Sequence, residues 1–142
     1  MKFKVLIIGD GVLGAELKKM SKEKKIEDYI EFYGNVKEIN KVLPLIDVGI
    51  STSIREGLSN SIIEMLICGI KVIVTNIGAN KELVDNKEYG DFFEVGNYVE
   101  LANIMQEYIE RDRKTYIAKV EVNKIREKFD RKRMIKEYEQ YY

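Results

Sequence analysis

Continuous apolar runs alternate along this chain with apolar residues at helical spacing. The run from Lys4 to Ile8 stops at Gly9 and reads as a strand buried in a parallel sheet. Leu13, Leu17 and Met20 then fall at i, i+4 and i+7, one face of a helix. Tyr29–Tyr33 predicts a second strand ending at Gly34. Val36 to Leu43 predicts a short helix closed by Pro44, the only proline. Val48–Ser51 reads as a third strand, Ile62–Cys68 as a helix stopped by Gly69, and Val72–Thr75 as a fourth strand. A short helix is expected around Lys81–Asp85 and a short strand near Asp91–Val95. Leu101, Met105 and Tyr108 mark a further helix, and the highly charged last 30 or so residues have a helical composition.

Strands separated by helices define βαβ units, a parallel sheet and right-handed crossovers. The expected fold class is therefore α/β, a Rossmann-like parallel sheet flanked by helices. At 142 residues the chain has about the length of one domain. In such sheets ligands bind beyond the carboxyl ends of the strands. The turns that matter are thus Gly9–Gly14, Gly34–Val36, Ser51–Asn60 and Thr75–Lys81.

Composition narrows the chemistry. Lys plus Arg (24) balances Asp plus Glu (24), so no net field draws nucleic acid. No run approaches the roughly 18 apolar residues of a membrane span. Val5–Ile8 is too short for the core of a signal peptide, so a cytoplasmic location is expected. The chain has no His and one Cys, Cys68. Ser-His-Asp and Cys-His nucleophiles, His-based zinc sites and disulfides are excluded. Chemistry here must rely on carboxylates, Lys or Arg, hydroxyls and backbone amides, which suits a substrate with its own phosphate leaving group. Cys68 lies in an apolar helix and is expected to be a buried packing thiol.

Two loops offer ligand chemistry. Gly9-Asp10-Gly11-Val12-Leu13-Gly14 fits G-x-G-x-x-G between a strand and a helix, as in NAD or FAD sites. A dinucleotide site expects an acid about 20 residues on, at the end of the next strand. Glu31 is near that distance but lies inside its strand. A tight turn with glycines for close packing is the plainer account.

The second loop is Glu56-Gly57-Leu58-Ser59-Asn60-Ser61-Ile62-Ile63-Glu64, running straight into a helix. A helix start offers free N–H groups and the positive end of a dipole, suited to a diphosphate. On one continuous helix the two glutamates would sit about 80° apart. They serve one ligand more easily with Glu56 in the loop and Glu64 in the second turn. The plainer account makes Ser61-x-x-Glu64 a capping box and Glu56 a surface acid.

Together these segments resemble the retaining glycosyltransferases of family 4, which have the GT-B fold. Asp47–Ser51, Glu56–Glu64, Met65–Gly69 and Val72–Gly78 are similar to the family's EGLPNxxxEAMACG and PVVxTxxGG stretches. Val5–Gly11 and Phe32–Val36 resemble its GxG-bearing strand end and its FxGxV segment. Departures are Ser59 where Pro is frequent, Val12 where Pro is frequent, and Gly78-Ala79 in place of Gly-Gly.

The resemblance implies a domain binding a nucleoside-diphosphate sugar (UDP-, GDP- or ADP-linked) for retaining transfer to an acceptor hydroxyl, in polysaccharide or glycolipid biosynthesis. Glu56 would be the catalytic residue at the donor sugar, and Glu64 would hold the ribose hydroxyls. Gly57 and the amides of Leu58, Ser59 and Asn60 would serve the diphosphate, and Asn35 and Val36 the base. No cofactor or metal is implied. Residues 1–142 would form the C-terminal half of the enzyme, inactive alone, lacking its first strand and helix and the N-terminal acceptor domain that is its partner. The basic stretch from Lys124 to Lys136 suggests peripheral membrane contact, although interleaved acids suit a solvated helix. A final helix capped by Asp130, with Met134, Tyr138 and Tyr141 on one face, completes the expectation.

Overall fold

Val5–Ile8 (β1) pairs in parallel with Ile30–Gly34 (β2) in a computed structural model that describes residues 3–110 and 116–130. The ladder runs Val5 to Ile30, Leu6 to Glu31 and Ile7 to Phe32, then slips so that Ile8 meets Gly34. The helix between them, Gly14–Glu23 (α1), carries Leu17 and Met20, with Leu13 at its N-cap. All three remain exposed, because one helix beside a two-stranded ladder supplies too few layers to close a core. Phe3 stacks on Tyr29 at 5.4 Å, and the Lys18 ammonium lies 5.5 Å from the Phe32 ring centre.

The expected helix at Val36–Leu43 is reduced to Ile39–Val42 (α2). Pro44 lies inside a following 3-10 turn, Leu43–Leu45, where its fixed φ is acceptable. The chain divides here into two compact units, Met1–Val42 and Leu43–Tyr142.

The second unit holds a three-stranded parallel sheet in the order β3-β4-β5, formed by Val48–Ser51 (β3), Lys71–Thr75 (β4) and Gly90–Phe93 (β5). β4 is central, and its alternation separates two layers. Val72 and Val74 pack with Ile62, Ile63 and Leu66 of Asn60–Ile67 (α3), Leu83 of Gly78–Leu83 (α4), and Val122 and Ile125 of Lys119–Lys128 (α6). Ile73 faces the other way, with Phe93 and with Leu101, Ile104, Met105 and Tyr108 of Tyr98–Glu110 (α5). Full burial of a side chain such as Leu66 contributes about 2–3 kcal/mol. A central strand apolar on both faces is what a covered parallel sheet requires.

The helix expected at Lys81–Asp85 begins earlier, at Gly78. Gly69 does end α3, at φ +80°. Cys68 caps that end and is exposed, contrary to the expected packing role, because its helix position turns away from β4.

The described cations of the basic stretch are not free. Lys124 pairs with Glu121 at 2.6 Å. Arg126 donates to the carbonyl of Ile67, and Lys128 to Asp85 and the carbonyl of Glu82. The Lys124 pair lies within α6, while the Arg126 and Lys128 bonds fasten α6 onto α3, α4 and the turn after α4. The expected cap at Asp130 and the face of Met134, Tyr138 and Tyr141 involve a helix outside the described residues. Among the described residues no helix is long and apolar enough to cross a membrane.

Candidate functional site

The loops that leave β3 and β4 at their carboxyl ends border an open cleft of about 440 Å³ in the second unit. Ile54, Arg55, Glu56 and Gly57 line it from one side, and Ile77, Gly78 and Ala79 from the other. This is where an open parallel sheet places a ligand. A larger cleft of about 540 Å³, which includes Lys71, Asp85, Lys87 and Asp91, borders the amino ends of β4 and β5. Its lining contains none of the candidate site residues.

Glu56 lies in the loop, and its carboxylate accepts a 2.7 Å hydrogen bond from the Ser53 hydroxyl. The backbone of Ser53 is held in turn by β4, because the Thr75 hydroxyl donates to the Ser53 carbonyl. Asn80 donates to the Thr75 hydroxyl at 3.1 Å and to the Thr75 carbonyl at 2.9 Å. Thr75 and Asn80 are 1% and 0% exposed.

Helix α3 starts three residues after Gly57. Ser59 occupies its N-cap without a side-chain cap bond, since its hydroxyl lies 3.1 Å from that of Ser61. The first amides of the helix are thus left without a side-chain acceptor. The capping box does not form, because Ser61 is already inside the helix rather than at the cap. Glu64 stands exposed in the second turn. The structure therefore gathers Glu56 and Gly57 at the cleft. Leu58 is exposed, Ser59 is buried and Asn60 opens the helix, and these three with Glu64 are not among the cleft-lining residues. Asn35 and Val36 belong to the other unit, just after β2.

Ser53, Thr75, Asn80 and Arg55 are functional candidates that sequence reasoning missed. Ser53 sits three residues before Glu56, the only local hint. Ala79, the departure from Gly-Gly, is the second residue of α4. Helical backbone accepts a Cβ there, so the substitution only adds a methyl to the cleft wall.

The Gly9–Gly14 loop joins β1 to α1. The Gly9 amide donates to the Gly34 carbonyl at 2.7 Å, and φ +128° requires glycine there. A Cβ at Gly11 or Gly14 would meet nothing within 4 Å, so close packing does not explain those two. Glu31 is mid-strand, with its carboxylate 3.0 Å from the Lys4 ammonium.

Parallel strands flanked by helices, with a motif-lined cleft over the strand ends, define a Rossmann-like domain of the GT-B glycosyltransferase type. The chain belongs to the family described as glycosyl transferases group 1, whose model matches residues 1–111. No curated protein matches it. Among solved structures it is similar to the Anabaena protein Alr3699/HepE in complex with UDP, at TM-score 0.85 and 26% identity, covering 99% of this chain and 41% of that one. The same Anabaena protein in complex with UDP-glucose gives TM-score 0.77 and 27% identity over 89% of this chain and 37% of that one. A glycosyltransferase from Rickettsia africae ESF-5 shares the fold, at TM-score 0.83 and 23% identity, covering 99% of this chain and 39% of that one. The chain thus spans about two fifths of the length of these structures.

Proposed function

We propose that this chain is the donor-binding, C-terminal half of a retaining, family 4 glycosyltransferase and that it holds a nucleoside-diphosphate sugar. The observation that carries the reading is the cleft at the carboxyl ends of β3 and β4, with Glu56 in its wall and an uncapped α3 just beyond. Its support from comparison is the family match and the Anabaena relative, which was solved with UDP and with UDP-glucose.

On this reading Glu56 faces the donor sugar. The amides of Leu58, Ser59 and Asn60 take the diphosphate at the positive end of α3. Glu64 accepts from the ribose hydroxyls, and Asn35 and Val36 are assigned to the base. The bond from the anomeric carbon to the phosphate oxygen breaks, and one to the acceptor oxygen forms on the same face. The departing phosphate takes the acceptor's proton, so no histidine base is required. The acceptor is a hydroxyl of a growing polysaccharide or glycolipid, in the cytoplasm or at its membrane face.

A two-dimensional NMR titration of the labelled chain with UDP, GDP, ADP and NAD tests this. A nucleoside diphosphate should move Leu58–Glu64 along with Asn35 and Val36, and the responding nucleotide names the base. Shifts with NAD alone, confined to Gly9–Gly14, would replace the reading with a dinucleotide site.

A further inference from the structure

Glu56 is an exposed carboxylate on a loop, and such a side chain ordinarily samples several staggered rotamers. Here it accepts from Ser53, whose backbone is tied to a fully buried pair. The donor assignments along this chain follow from simple counting. The two partners of the Asn80 amide nitrogen are the Thr75 carbonyl, which only accepts, and the Thr75 hydroxyl. That hydroxyl has one proton and gives it to the Ser53 carbonyl. Its lone pair therefore receives the Asn80 N–H. The Ser53 hydroxyl is left with its own proton, which goes to Glu56 at 2.7 Å. A hydrogen bond to an ionised acceptor is roughly twice as strong as a neutral one.

We propose that Ser53 is a positioning residue for Glu56, and that Thr75 and Asn80 are its buried anchor, transmitting the rigidity of β4 to the exposed carboxylate. The proposal rests on the reading of Glu56 as the group that faces the donor sugar, and deepens it. Precise placement of a group at a reacting centre is a large part of what such a site contributes. The anchor reaches Glu56 from the adjacent strand, a separation of 22 residues between Thr75 and Ser53. The loop of β3 is thus set by β4.

The test needs no nucleotide, so it stands apart from the question of donor binding, which the titration above decides. Three-bond couplings about the Cα–Cβ bond of Glu56 are measured by NMR in the whole chain and in Ser53→Ala, Ser53→Thr and Thr75→Val. The expected result is one dominant rotamer in the parent and averaged couplings in Ser53→Ala. Ser53→Thr, which keeps the hydroxyl, should restore the parent values. Thr75→Val should average them as Ser53→Ala does; if it unfolds, the alanine and threonine variants decide alone. Couplings already averaged in the parent, or unmoved in Ser53→Ala, overturn the proposal.

Discussion

The Tyr89 hydroxyl donates to the Glu121 carboxylate at 3.0 Å, joining the loop before β5 to the first turn of α6 across 32 residues of sequence. Burial, chiefly, and then this bond push the Tyr89 phenol up to about 12 from its ordinary 10.0. Glu121 is held below its ordinary value by Lys124 and by Tyr89. A phenol whose folded pKa is raised stabilises the protein fully below pH 10, and that contribution is lost as pH rises towards 12. Melting profiles of the parent should therefore fall more steeply over that window than those of Tyr89→Phe. At pH 7 the phenylalanine variant should be about 1 kcal/mol less stable. Parallel profiles above pH 10 would remove this account.

Gly90 and Gly49 should respond very differently to alanine. A Cβ on Gly90 would lie 1.9 Å from the Val72 carbonyl oxygen, which is ladder backbone and cannot retreat. On Gly49 it would meet the Met65 sulfur at 2.1 Å, the far end of a flexible side chain. Chemical denaturation should show Gly90→Ala losing more than about 3 kcal/mol and Gly49→Ala about 1–2 kcal/mol. Equal losses would contradict the ladder geometry.

Glu64→Ala separates binding from stability. Glu64 is exposed and caps nothing, so its removal should change unfolding by no more than about 0.5 kcal/mol. Losing a charged acceptor from a ribose should weaken nucleoside diphosphate binding by at least about tenfold. A titration that shows unchanged affinity would remove Glu64 from the site.

Asn80 is fully buried, with its side-chain oxygen unpartnered and both nitrogen bonds spent on Thr75. Asn80→Ala should cost about 2–3 kcal/mol by removing two buried hydrogen bonds and leaving a cavity, although the Thr75 carbonyl keeps the Ile77 amide and the Thr75 hydroxyl keeps the Ser53 carbonyl. Asn80→Asp sets an oxygen against two acceptors and, when ionised, buries a charge. Its loss should exceed that of alanine at pH 8 and shrink as the pH is lowered and the acid takes up its proton. Denaturation curves at pH 5 and pH 8 compare the two directly.

Much of the architecture follows from local pattern. Val72–Thr75 reads as a buried strand because both of its faces are apolar, and Gly69 as a helix stop because only glycine takes that turn cheaply. The Glu56–Glu64 loop, its spacing and its run into a helix are likewise visible in the one-dimensional chain, as is the parallel α/β order. Other features depend on which distant segments meet. Ser61-x-x-Glu64 has the letters of a capping box, yet α3 begins two residues too early for it. Cys68 reads as apolar packing, but the helix phase at its last turn points it to solvent. Pairing of Ser53 with Thr75, and of Tyr89 with Glu121, has no local signature, since a hydroxyl or a carboxylate fits any surface until a partner arrives. Sequence by itself determined the strands, the helices and the chemistry-bearing loop, through periodicity and backbone preference. Tertiary structure alone decided which side chains hold Glu56 and α6 in place, because hydrogen bonds between remote segments depend on the geometry of the packed sheet.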